Sequence, residues 1–232
     1  MQEILKRGLS HFGADATDII IDRFVTYSQL LREWNEKINL TAITEPDEIA
    51  KKHFVDSVSC VSMLGESASL VDVGTGAGFP GIPLKIVRDD ISVLLLDSLG
   101  KRVDFLNRVI TELGLNNIEA VHSRAEDGGT NPLYRERFDV ATARAVAGLN
   151  VLSEYCVPFV KVGGQFIALK GPDCDEEVAT AKNAIKTLGC DNPILHNVHW
   201  EEHRHTLVVC KKIKSTDKKY PRKAGKPSKN PL

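Results

Sequence analysis

The stretch Leu70–Ile86, LVDVGTGAGFPGIPLKI, leaves few options for the fold around it. A short apolar run (Leu70, Val71, Val73) is broken by glycines at 74, 76, 78 and 81, and a helix-like apolar segment follows. That order predicts a strand, a tight turn and the opening of a helix. Glycine suits the turn because, lacking a Cβ, it adopts positive φ and lets the backbone approach a ligand closely. The helix N-terminus behind the turn offers free N–H groups and the positive end of a dipole. Pro80 and Pro83 fit the loop and first helical turn, where a missing N–H costs little. Gly76–Gly81 also matches GxGxxG, which is weak evidence on its own.

Strand and helix patterns alternate after this turn. Leu70–Val73, Val93–Leu96, Ile118–Val121, Phe138–Ala141 and Gln165–Leu169 read as five strands. Helices are expected near Ile82–Arg88, at Lys101–Leu113 with Gly114 as its stop, from Asn150 to about Val160, and at Glu176–Leu188, while Val162–Gly164 reads as a turn. Ile194–His199 and Thr206–Cys210 add two strands close together, an antiparallel pair. The expected fold class is α/β: a doubly wound, mostly parallel, Rossmann-like sheet with helices on both faces. Met1–Leu40 reads as helical, with Ile20, Phe24, Tyr27, Leu31, Trp34 and Ile38 along one face, serving either as core packing or as a lid or substrate-positioning subdomain. Thr44 is the expected N-cap of a further helix reaching Leu64, in which Lys51, Lys52 and His53 face either RNA or solvent. The expected division is a helical extension over 1–65, a main domain over 66–212 and a basic tail over 213–232.

Charge is unevenly distributed. The chain carries −1 overall, yet Lys211–Leu232 holds nine Lys/Arg against Asp217 alone, +8, so the preceding residues sum to −9. A basic tail on an acidic body points to a polyanionic partner. With three prolines and little apolar content, the tail is expected to pack poorly and to be mobile without that partner. The five cysteines (60, 156, 174, 190, 210) form no CxxC pair, which fits a reducing, cytoplasmic setting and no metal site. No apolar run approaches the roughly 20 residues that span a bilayer.

The residues around the turn narrow its ligand to an adenosine-containing cofactor. Asp97 closes the second strand, where a carboxylate can accept hydrogen bonds from both ribose hydroxyls. Nicotinamide dinucleotides and S-adenosylmethionine share that half, so Asp97 does not separate them. A dehydrogenase normally needs a second substrate-binding half, for which this length leaves little room. Asp72 stands ready either for a methionine ammonium group or for the backbone of the loop, and Ser123–Asp127 (SRAED) places polar groups near the adenine position. The final strand pair suits a methyltransferase sheet. S-adenosylmethionine is therefore the expected cofactor; a nicotinamide oxidoreductase and a small-molecule methyltransferase are the alternatives.

Several blocks in order, WNEKINLTAI (Trp34–Ile43), HFVDSV (His53–Val58), VDVGTGAGFPGIPLKI (Val71–Ile86), LLDSLGKRVDFL (Leu95–Leu106), SRAED, TARAVAGL (Thr142–Leu149) and YPRKAGKPSKNPL (Tyr220–Leu232), resemble the family of ribosomal RNA small subunit methyltransferase G, or glucose-inhibited division protein B. The resemblance covers nearly the whole chain; Gly100 departs from the larger residue expected there and leaves the start of its helix open. It implies methyl transfer from S-adenosylmethionine to guanine N7 in the 530 loop of 16S rRNA. It further implies cofactor contacts from Gly74, Gly76, Gly78, Phe79, Asp97, Ser98, Ala125 and Glu126, with Arg144 bordering both cofactor and substrate. RNA contacts are expected from Arg124, Arg144, Lys170, Arg222 and Lys223. Because N7 carries a lone pair and no proton, no general base is expected. The implied partner is 16S rRNA or the small ribosomal subunit, and the expected state is a monomer.

Overall fold

The computed structural model describes residues 1–144 and 146–232; Ala145, inside the TARAVAGL block, lies outside them. Its strands are β1 (Ser69–Val73), β2 (Ser92–Asp97), β3 (Ile118–His122), β4 (Phe138–Arg144), β5 (Val160–Lys170), β6 (Ile194–Trp200) and β7 (His203–Lys211). They form one sheet in the order β3-β2-β1-β4-β5-β7-β6. The first five pair in parallel, and β7 runs antiparallel between β5 and β6. This is the doubly wound sheet with an antiparallel C-terminal pair that the alternating pattern predicts. Strand order reverses between β1 and β4, the position at which open α/β sheets bind ligands beyond their carboxyl ends.

Alternation along the strands divides the interior in two. Leu70, Val93, Leu95, Val140, Ile167 and Leu207 face one core, shared with the N-terminal helices α1 (Gln2–His11) and α2 (Asp18–Asn35) and with α5 (Gly81–Val87) and α6 (Gly100–Glu112). Val71, Val73, Leu94, Leu96, Ala141 and Phe166 face the other, covered by α8 (Leu149–Cys156) and α9 (Asp175–Thr187). Phe24, Tyr27 and Leu31 on α2 are fully buried, as their spacing predicts, with Ile21 rather than Ile20 completing the buried face. All five cysteines are buried and unpaired by disulfides, and burial pushes the thiols of Cys60 and Cys190 up to about 12.

Local departures from the sequence reading have identifiable causes. The N-terminal helix is interrupted at Gly13, which takes a φ of +73°, and restarts with Thr17 as the N-cap of α2. Thr44 is not a cap: α3 (Pro46–Ile49) starts after Glu45, with proline in its first turn. A π-helical turn, Ala50–Val55, then leads into α4 (Asp56–Val58). Gly100 begins α6 without hindrance, because a side chain there would find only the His122 ring at 3.8 Å. The turn expected at Val162–Gly164 is an irregularity within one long strand, where the β4–β5 register shifts between Phe138 and Val140.

The tail is the largest correction. It packs against the body instead of lying loose, because buried carboxylates and an arginine receive it. Lys212 is fully buried with its Nζ 2.7 Å from Glu136 Oε1, which also accepts the Thr216 N–H at 2.8 Å. Arg135 donates to the carbonyls of Tyr220 (2.7 Å) and Thr216 (2.8 Å). Arg222 forks onto Glu154, whose side chain is 1% exposed. The chain then ends in α10 (Lys226–Lys229), beyond α7 (Ala125–Thr130) and against α8.

One buried cation carries a purely structural load. Lys85, in the middle of the apolar PLKI run, is fully buried and donates to the carbonyls of Asp89 (2.7 Å) and Ile91 (2.8 Å), closing the chain between α5 and β2. Lys85→Met keeps the volume and removes both donors. It should cost about 1–3 kcal/mol, seen as a lower urea midpoint at unchanged slope.

Candidate functional site

The glycine turn is held from three sides. Gly74, Gly76 and Gly78 have φ of +69°, +61° and +98°, conformations that side chains with a Cβ rarely adopt. The N–H groups of Gly74 and Thr75 both donate to Leu96 O, at 2.8 and 3.1 Å, lashing the turn to the end of β2. From below, Asp72 Oδ2 accepts from Thr75 Oγ1 (2.6 Å) and Gly81 N (2.8 Å). Of the two roles open to Asp72, the structure shows the hold on the loop, made by Oδ2 alone, while Oδ1 is buried without a hydrogen-bond partner. From the side, Asp97 Oδ2 accepts from Gly76 N (2.8 Å) and Oδ1 from Leu99 N (2.9 Å), with Arg102 Nη1 3.6 Å away. The buried Tyr27 hydroxyl of α2 donates to Ala77 O, and a Cβ on Gly78 would lie 2.5 Å from that hydroxyl.

Two adjoining cavities share Gly74, Ser98 and Val146 and together make one cleft over the carboxyl ends of β1 to β4. The first, about 340 Å³, brings together Gly74, Gly76, Phe79, Asp97, Ser98 and Arg144 from the expected set. The second, about 370 Å³, brings together Arg124, Ala125 and Glu126, again with Ser98. Gly78 lies beneath the turn and lines neither. The walls also contain residues the sequence reading did not assign to the cofactor: Thr41, His53, Arg102 and Val146 in the first cavity, Tyr155, Gly225 and Ser228 in the second. Val146 sits over Gly74, where a Cβ would lie 2.9 Å from its Cγ2.

Arg144, at the end of β4, is aimed by the N-terminal segment. Its Nη1 lies 3.0 Å from Asp56 Oδ2 and 3.1 Å from Lys52 O, and its Nη2 lies 3.2 Å from His53 Nδ1. The guanidinium carbon stands 4.7 Å from the centre of the Phe79 ring, on which the His53 ring stacks at 4.6 Å. On the same ring Nδ1 also lies 3.1 Å from Lys52 O, and Nε2 faces Thr41 Oγ1 at 2.7 Å. Burial, then the Arg144 charge, lowers the His53 pKa to about 4, which keeps the ring neutral at pH 7. Asp56 is shared with His205, whose Nδ1 lies 3.0 Å from Oδ1. The π-turn at Ala50–Val55 carries Lys52 and His53 and leads directly to Asp56, so all three reach Arg144 from one segment. In the sequence His53 and Asp56 stand in the HFVDSV block, and Lys52 and His53 read only as facing RNA or solvent, with nothing to link them to Arg144.

Two of the expected RNA contacts are otherwise engaged. Lys170 Nζ binds Glu177 Oε1 (2.7 Å) and Ala147 O (2.8 Å), and Arg222 is committed to Glu154. Neither offers a free cation to a phosphate. Arg124 and Lys223 are exposed. Among the described residues there is no cluster of three or more His, Cys, Asp or Glu that could hold a metal ion, and no helix is long and apolar enough to cross a membrane.

The family model for GidB, rRNA small subunit methyltransferase G, matches residues 20–207. Proteins named ribosomal RNA small subunit methyltransferase G from Clostridium perfringens and Acetivibrio thermocellus are 50% and 51% identical to this chain, over 99% and 100% of it and 98% and 97% of their own lengths. Among solved structures, M. jannaschii TYW2 in complex with AdoMet aligns with a TM-score of 0.54 at 15% identity, covering 67% of this chain and 73% of that one. A SAM-dependent O-methyltransferase from Thermotoga maritima aligns with a TM-score of 0.52 at 15% identity, covering 81% and 72%. At such identities the structural likeness shows the fold alone.

Tying the turn to a buried carboxylate makes its stability depend on pH. Burial raises the Asp72 pKa, hydrogen bonds from Thr75 and Gly81 partly oppose this, and the result is about 6 against an ordinary 3.8. Because the folded value lies above the unfolded one, the stabilisation linked to protonation is complete below pH 3.8 and is lost as pH rises through 6. Asp72→Asn cannot titrate. Relative to the parent, this variant should therefore gain about 3 kcal/mol between pH 4 and pH 7 in urea unfolding. A difference that does not change with pH would refute the assignment.

Proposed function

The chain belongs to the rRNA small subunit methyltransferase G family, and on that premise we propose that it transfers a methyl group from S-adenosylmethionine to N7 of a guanine in the 530 loop of 16S rRNA. The observation that carries the cofactor reading is the meeting of Asp97 with the glycine turn at the point where strand order reverses. A carboxylate has about four acceptor sites, and the N–H groups of Gly76 and Leu99 use two, so Asp97 retains capacity for ribose hydroxyls. Gly74 and Gly76 present a shelf without Cβ atoms. These residues fit the cofactor: Gly74, Gly76 and Phe79 on its methionine side, Asp97 and Ser98 at the ribose, Ala125 and Glu126 at the adenine.

When bound, S-adenosylmethionine supplies a methyl group on a positively charged sulfur. What remains for the protein is to hold a guanine edge in line with it, since N7 attacks through its own lone pair and needs no base. Positioning of that kind can supply much of the rate enhancement. Arg144 is built for it: Asp56 and His53 fix its direction, and Phe79 supports its plane. The neutral His53 ring adds no charge against the cationic product, and Asp56 balances Arg144. N7 lies in the deep, narrow groove of A-form RNA, so a loop guanine is the accessible target. Arg124 and Lys223 serve as phosphate contacts that position the RNA without reading its bases.

Two measurements test this. Asp97→Ala should weaken S-adenosylmethionine binding by roughly 1–3 kcal/mol in calorimetry; wild-type affinity would refute the ribose role. Labelled methyl donor and small-subunit RNA from a strain lacking this protein should yield label at N7 of a single 530-loop guanine. Label at another position, or none, would overturn the substrate assignment.

A further inference from the structure

The C-terminal segment reaches the cleft in a way that a solubilising or RNA-grasping tail does not require. Its anchors are carboxylates on the body. Glu154, buried on α8, receives the Arg222 side chain at 2.6 and 2.9 Å and the Arg222 N–H at 2.8 Å. Glu126, in the first turn of α7, accepts the Gly225 N–H at 2.9 Å. Past the first anchor the chain turns at Gly225, with φ of +77°, and Gly225 and Ser228 become walls of the second cavity opposite Ser123, Ala125 and Tyr155. Lys223, Lys226 and Lys229 of the same segment are exposed. The strap therefore has an inner side on the cleft and a basic outer side.

We propose, on the reading of the cleft given above, that residues 213–232 are a strap that forms the outer wall of the adenine subsite, so that cofactor affinity depends on the C-terminus of the chain. Glu126 holds both ends of this arrangement: it stands in the cavity where the adenine is placed and fastens the strap through Gly225. The glycine is required, because a β-branched residue at this φ is strongly disfavoured even though nothing lies within 4 Å of its Cβ position. By linkage, whatever holds the strap against Glu126 strengthens cofactor binding, and bound cofactor steadies the strap by the same factor.

Gly225→Val in the full chain leaves the Arg222–Glu154 anchor in place and displaces the tip. Its Kd for S-adenosylmethionine and for S-adenosylhomocysteine, by calorimetry, should rise at least tenfold over the unaltered chain. In the unaltered chain, saturating S-adenosylhomocysteine should slow amide hydrogen exchange across residues 222–229. Equal Kd values for variant and parent would overturn the strap while leaving the cofactor reading intact, whereas an unaltered chain that binds neither compound would overturn the cofactor reading itself. Should the variant not fold, the exchange experiment decides alone, and unchanged exchange across 222–229 refutes the proposal.

Discussion

A turn made largely of glycine has almost no side chains with which to hold its shape, and glycine gives up more backbone freedom on folding than any other residue. The Asp72 carboxylate meets that cost. One of its oxygens spans the loop, taking Thr75 at the start and Gly81 at the first residue of α5. With those ends fixed, the helix axis and the Asp97 carboxylate are fixed relative to each other, because Asp97 holds Gly76 and the carbonyl of Leu96 holds Gly74 and Thr75. The glycine turn, the start of α5 and the end of β2 thus form one hydrogen-bonded unit. Burying the carboxylate that closes it is unfavourable, as the displaced pKa records.

The N-terminal helices belong to this unit as much as the sheet does. Tyr27 bonds Ala77 within the turn, and its ring stacks on Phe54 at 5.1 Å and lies 5.7 Å from Phe79. Phe79 in turn carries His53 and Arg144. A continuous aromatic ladder therefore runs from the core of the helical extension to the mouth of the cleft. Of the alternatives in the sequence for these helices, core packing is what the buried Phe24, Tyr27 and Leu31 show.

What the sequence reveals and what it hides follow from distance along the chain. β1, β2 and the glycine turn are legible because each signal is local: an apolar run, left-handed glycines, a carboxylate at the strand end. Arg144 is recognisable in its block, but the groups that aim it lie 88 and 91 residues earlier, and no local pattern announces them. The tail misleads for the same reason. Its lysines and prolines read as a solvated segment, whereas Glu136 and Glu154, which receive Lys212 and Arg222, lie 76 and 68 residues earlier. Gly163 and Gly164 read as a turn because glycine marks turns and bulges alike.

The buried Glu154 has a bearing on how the protein is made. Its partner Arg222 lies 68 residues later in the chain, so a ribosome that has just made α8 has yet to make the group that neutralises it. Until then α8 carries a carboxylate that cannot be both buried and neutralised. The sheet can begin to assemble during translation, but α8 is fully packed only once Arg222 has been made.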